Sequence, residues 1–374
     1  MKFKQGLVIV FSLVLFIFSV LYYLGASGNI KNSPEELSEE CESLVFNGES
    51  AINLLFFSDG GKTQEYSELI FNSKPFSDYE NSFNIYYIDD YVPVCNLYKG
   101  IAILCYSSKL IRKASSCPHD FIFVIKEDKE EIRSSSYINV MSLNSNHPKT
   151  VILHEFGHAL GNLAEEYIND QNPHRGSKNC VNECYEFNDL EEGCFEGCSK
   201  SEFIRSSENG VMRTLLSNKY GTYNEFLLTN AIESYVEPTT SISGSTIFDE
   251  SDCLNERHFF IEIKKNSNGF FVLNQSIELG CSSRSQPEGL YSYKIYSSNN
   301  EILEGRFNPQ IFTDFQDSGS EELDGEIISL DEVEFILTFP YNPSYTKFSV
   351  FDENNEGITE NLISFGGNIA CYIE

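Results

Sequence analysis

Residues 151–167 read VILHEFGHALGNLAEEY, an apolar run interrupted by two histidines and a glutamate. Its apolar positions, with Asn146-His147-Pro148 as a start signal, predict a helix over Val151–Leu163. Positions four apart share a helix face. His154 and His158 are therefore expected to turn imidazole nitrogens toward one metal ion, Zn2+ being the ion this spacing suits. Glu155 stands beside the pair and is expected to act as the base that takes a proton from water. Catalytic zinc takes three protein ligands, so one more is needed downstream. Gly161 and Asn162 both tolerate left-handed backbone, so the helix can stop and turn there. Glu165, three residues past Asn162, is the first candidate and Glu166 the alternative; spacing does not separate them. His174 is a more distant candidate, and the competing reading makes both glutamates solvated charges. His119, His147 and His258 have no partner at ligand spacing.

Upstream of this helix, strands alternate with helical stretches. Ala51–Phe57, Phe83–Ile88, Asp120–Lys126 and the less apolar Ser135–Met141 read as strands, and a helix fits the segment up to Asn72. Ile101–Tyr106 suits either state. Downstream of residue 240 the pattern becomes alternation between turns, as in His258–Lys264, Gly269–Leu273, Gly289–Tyr296, Glu334–Phe339 and Thr346–Phe351. The expected architecture is an α/β (α+β) domain over 49–238 followed by an all-β sandwich of about seven strands over 239–374.

The N-terminus points to export. Gly6–Leu24 is apolar and uncharged, and its nineteen residues would span ~28 Å as a helix, near the ~30 Å bilayer core. Lys2 and Lys4 precede it, which orients the rest of the chain outside. Residues 1–25 are thus expected to be a transmembrane anchor or a cleaved signal, and 26–48 a polar stalk. Eleven cysteines fit an oxidising compartment. Cys180, Cys184, Cys194 and Cys198 are spaced so that Cys180–Cys198 and Cys184–Cys194 could close as nested bridges between helical turns; a structural zinc site is the competing reading. With 26 Lys+Arg against 56 Asp+Glu, the formal charge of −30 excludes a sequence-independent nucleic-acid binder.

The stretch HEFGHALGNLAEEY resembles the signature of the IgA peptidase family of zinc metallopeptidases, with Glu165 where that family commonly has Asp. NLLFFSDGGKTQEY, Pro75-Phe76-Ser77-Asp78-Tyr79 and Phe83-Asn84-Ile85-Tyr86 resemble it as well, and the similarity covers about residues 50–235. The family's Gly-Asp-Gly-Tyr is replaced here by Ser58-Asp59-Gly60-Gly61. The resemblance implies a metzincin-like peptidase fold, with an edge strand at about Ser135–Met141 pairing with an extended substrate. Such folds place a methionine turn beneath the metal, and Asn209-Gly210-Val211-Met212-Arg213 fits one, with a core methionine as the plain alternative.

The expected function is a membrane-tethered or secreted zinc endopeptidase acting on a protein or peptide. The membrane would be engaged only through the N-terminal helix. Tyr167, Tyr220 and Tyr223 are candidate donors to the developing oxyanion. The rival expectation is a non-catalytic cell-surface binding protein with a degenerate peptidase domain; a zinc amidase for cell-wall peptides is a third.

Overall fold

A computed structural model describes residues 41–236 and 252–362, apart from 287, 299, 317–322, 329 and 331. The expected anchor and most of the expected stalk lie outside the described residues. Among those described, no helix is long and apolar enough to cross a membrane.

The fold is mixed α and β, dominated by sheet. The first half runs β1 (Glu42–Val45), β2 (Ile52–Phe57), α1 (Gly60–Phe71), β3 (Phe83–Ile88), β4 (Asn96–Tyr98), β5 (Ala102–Leu104), α2 (Ser108–Ala114), β6 (Phe121–Lys126), β7 (Ser134–Tyr137) and β8 (Val140–Asn144). Then come α3 (Val151–Gly161), β9 (Phe195–Cys198), β10 (Lys200–Arg205) and α4 (Thr222–Val236). The remainder is all strand: β11 (Arg257–Asn266), β12 (Gly269–Leu279), β13 (Tyr291–Ser297), β14 (Asn300–Phe307), β15 (Ile311–Phe315), β16 (Asp324–Ile328), β17 (Val333–Pro340), β18 (Tyr345–Phe351) and β19 (Gly357–Asn361).

An eight-stranded sheet has the order β1-β3-β2-β6-β8-β7-β15-β16. Strands β3, β2, β6 and β8 are parallel neighbours, and the others pair antiparallel. Both faces of β2 are buried, which is why its sequence is an unbroken apolar run. Ile52, Leu54 and Phe56 enter a core with Phe156 of α3 and Leu228 of α4. Leu55 and Phe57 enter a second core with Leu110 of α2 and Phe260 of β11. Asp59 caps α1 by accepting from the Lys62 amide at 2.9 Å.

The downstream half supplies a sandwich of seven strands, in sheets ordered β12-β11-β17 and β14-β13-β18-β19. Their inner faces share one core that includes Ile261, Tyr293, Phe335 and Phe348. The remaining pair, β15 and β16, leaves the sandwich and joins the eight-stranded sheet. The halves are further tied by Arg284, which donates through Nε to Asp120 at 3.0 Å, and by Arg112, which donates to Glu278 at 2.9 Å.

Two local expectations change, and one left open is decided. The stretch Ser135–Met141 is not one edge strand. It is divided between β7 and β8 by a turn in which Ile138 has φ 57°. Its polar character does not come from exposure, since all of β7 is buried. The serines are small hydrogen-bonding fillers instead. Ser134 Oγ accepts from the Asn144 amide at 3.0 Å, and Ser135 Oγ donates to the Ile103 carbonyl. Ala102–Leu104 resolves as strand, and Glu42–Val45, within the stretch read as stalk, pairs with β3.

Five disulfides are formed: Cys41–Cys117, Cys95–Cys105, Cys180–Cys198, Cys184–Cys194 and Cys253–Cys281. They fit an exported protein. The nested pair closes as the spacing suggests, though between a loop, a 3-10 turn (Cys184–Phe187) and β9 rather than between helical turns. Cys371 lies outside the described residues.

Candidate metal centre

The helix α3 carries His154, Glu155 and His158 into the core, all essentially buried. It ends at Asn162, whose left-handed backbone (φ 49°, ψ 37°) lets its amide reach the carbonyls of Gly157 and His158. The chain then doubles back, so that Glu165 faces the two imidazoles. The ring nitrogens are oriented from behind. His154 Nδ1 lies 2.9 Å from the Val211 carbonyl and His158 Nδ1 2.7 Å from the Leu163 carbonyl. Those carbonyls fix the protons on Nδ1 and leave both Nε2 lone pairs pointing at a common centre.

Four side chains converge there: His154, His158, Glu165 and Asp314, whose donor atoms all lie within 4.8 Å of one another. The two Nε2 atoms are 3.1 Å apart. Glu165 reaches His154 at 3.3 Å and His158 at 3.0 Å, while Asp314 Oδ2 stands 3.2 Å from His154 and 3.8 Å from His158. A tetrahedral ion with bonds of about 2.0–2.1 Å needs donors roughly 3.3 Å apart. The observed spacings average to that separation. Both Glu165 oxygens and Asp314 Oδ2 are buried without a hydrogen-bond donor. Buried carboxylate oxygens require a positive partner, and the donor set of two imidazoles and two carboxylates suits a divalent ion.

Two histidines this close to two carboxylates titrate abnormally when no ion lies between them. Burial opposes charging His154, but Asp314 and Glu165 outweigh it and hold its pKa well above the ordinary value. The same balance, led after burial by Glu165, raises His158 to about 9. Ion binding must therefore expel protons. Glu155 is different. It is fully buried, neither of its oxygens has a partner, and burial followed by Asp314 pushes its carboxyl well above the usual range.

The supports are specific. Asn209–Arg213 does form a turn, and Met212 is buried against α3. A methyl group at Gly157 would lie 2.7 Å from the Met212 sulfur. The same turn supplies the Val211 carbonyl to His154, and its Met212 carbonyl accepts from the Glu166 amide at 2.9 Å. Glu165 is held from its backbone, since its carbonyl accepts from Ser199 Oγ at 2.9 Å beside the Cys180–Cys198 bridge.

The two glutamates left open by spacing are thus separated. Glu165 faces the imidazoles. Glu166 turns away, accepting from Asn224 at 2.8 Å and Asn179 at 3.3 Å, and burial raises its pKa to about 7. Of the three tyrosines, Tyr167 donates to Asp314 Oδ1 at 2.7 Å. Tyr220 donates to the Leu153 carbonyl, and Tyr223 packs against Phe187 away from the centre. His174 is buried beside Asn162 and is no donor to the centre; burial, then His158, lowers its pKa to about 3. His119, His147 and His258 are buried and contact carbonyls of Cys117, Glu130 and Gly280.

Asp314 is the residue that sequence reasoning missed. It lies on β15, whose Thr313 and Asp314 are both fully buried between Phe312 and Phe315. An acid flanked by aromatics in a short strand was the available signal. No protein-family model matches this chain, and no curated protein matches it.

Proposed function

We propose that the chain is an exported zinc endopeptidase with a metzincin-like fold, acting on protein or peptide substrates. The observation that carries this reading is Glu155. A closed structural metal site needs its ligands only, whereas a buried carboxyl without partners beside those ligands costs stability. Such a group is retained where it performs chemistry. His154, His158 and Glu165 would hold the ion. The bound zinc supplies Lewis acidity toward a carbonyl oxygen and lowers the pKa of water. With the ion's positive charge offsetting the burial that otherwise keeps its carboxyl protonated, Glu155 would take the proton of the attacking water and pass it to the leaving amine nitrogen. The signature resemblance and the turn at Met212 support the same reading.

One observation favours the rival, a non-catalytic binding protein. With Asp314 the donors number four, and four protein ligands are the mark of a closed site. The two readings separate by experiment. Purified protein should hold one zinc per chain, and casein-type cleavage should vanish in Glu155→Gln while zinc stays. Zinc with cleavage unaffected by Glu155→Gln would remove the peptidase assignment.

A further inference from the structure

We infer that the β15–β16 hairpin occupies the site's own substrate position and holds the enzyme latent, with Asp314 in the place that an incoming water or carbonyl needs. This rests on the peptidase reading above. The resemblance implies an extended substrate pairing with an edge strand at about Ser135–Met141, and addition of a strand to a free sheet edge is a common mode of peptide binding. In this chain that edge is β7, and β15 already covers it. The register runs Ile311 to Tyr137, Phe312 to Ser136, Thr313 to Ser135 and Asp314 to Ser134.

The occupant fits the site at three further points. The Phe312 ring stacks on His158 with centroids 4.2 Å apart. Beside that stack, a pocket bordered by Ser136, His158 and Phe312 has a volume of about 10 Å³, room for roughly one water. Gly325 on β16 admits the close approach, since a methyl there would lie 2.3 Å from the Tyr167 hydroxyl and 2.4 Å from Asp314 Oδ1. Neither sheet of the sandwich uses the hairpin. Strands β14 and β17, which flank it in sequence, keep their own partners β13 and β11. Displacing β15 and β16 would therefore open the centre without unpairing the sandwich.

The test uses the full chain loaded with Co2+, whose visible absorption reports coordination, and acetohydroxamate as a small chelating probe. Wild type should bind cobalt with a spectrum indifferent to acetohydroxamate. Asp314→Ala should keep cobalt, bind the probe, and cleave casein about tenfold faster or more, since a closed state reduces apparent affinity in proportion to the open fraction. Gly325→Val keeps all four donor side chains and should shift the spectrum in the same direction by wedging β16 away from Thr313, Tyr167 and Asp314. Wild type that takes the probe and cleaves as fast as Asp314→Ala would overturn latency and leave the peptidase reading standing. Loss of cobalt from Asp314→Ala would overturn it too, making Asp314 a structural ligand. An Asp314→Ala protein that takes the probe but cleaves no faster would show that this contact does not restrain catalysis. Absence of cobalt from every variant would remove the peptidase reading itself.

Discussion

The two sides of the metal centre are built by opposite means. His154, His158 and Glu165 fall within one helix and the turn after it, whereas Asp314 arrives on a strand from the far half of the chain. The first side is set by local geometry: a helical period, a left-handed residue at Asn162, and carbonyls that aim each ring. The second depends on pairing between β7 and β15, whose residues are far apart in sequence. The helix-borne side should therefore be needed to hold the ion at all, and the strand-borne side only to close it.

The sharpest break of that contrast is removal of one imidazole. His158→Ala should lower zinc affinity by on the order of 100-fold or more, read as metal content after dialysis against a weak chelator. Equal loss from His158→Ala and Asp314→Ala would erase the distinction between the sides. A smaller effect comes from beneath the helix. Gly157→Ala places a methyl 2.7 Å from the Met212 sulfur and 3.0 Å from Tyr220, so it should cost about 1–3 kcal/mol in urea unfolding. An unchanged midpoint would mean that the Met212 turn yields freely.

The gentlest probe is pH. In zinc-free protein the His158 pKa is raised from 6.5 to about 9, and a raised histidine contributes stability that is complete below its unfolded pKa. That contribution is lost as pH climbs from 6.5 through about 9. The raised pKa of His154 acts in the same sense. Chelated protein should accordingly unfold at lower urea as pH rises across this window. Zinc should flatten or reverse the slope, because protons then compete with the ion. A chelated protein that gains stability over the same range would contradict the paired arrangement of rings and carboxylates.

What the sequence disclosed follows the same division. The helix, its stop at Gly161-Asn162, and the return of a carboxylate were legible because each depends on neighbours a few residues apart. The nested bridges from Cys180 to Cys198 were legible from spacing, and the sandwich strands from alternation. Glu165 and Glu166 could not be told apart, since the choice is made by Asn179 and Asn224 claiming Glu166. The stretch Ser135–Met141 reads as one edge strand because the buried serines of β7 give it the low apolar weight that an edge strand has. For Asp314 the local signal, an acid among aromatics in a short strand, marks burial only, and its role depends on which strand lies next to it.

The path of the hairpin also determines where the chain can be cut. The change in composition near residue 240 invites separate expression of two halves. Yet the upstream half would then present β7, a buried strand of Ser134–Tyr137, as a bare edge. It would also lack the Arg284 guanidinium that neutralises buried Asp120. An unpaired edge is a template for association between copies. Fragments ending near 238 are therefore expected to aggregate, and a shuffled or fused version of this molecule must carry both halves together.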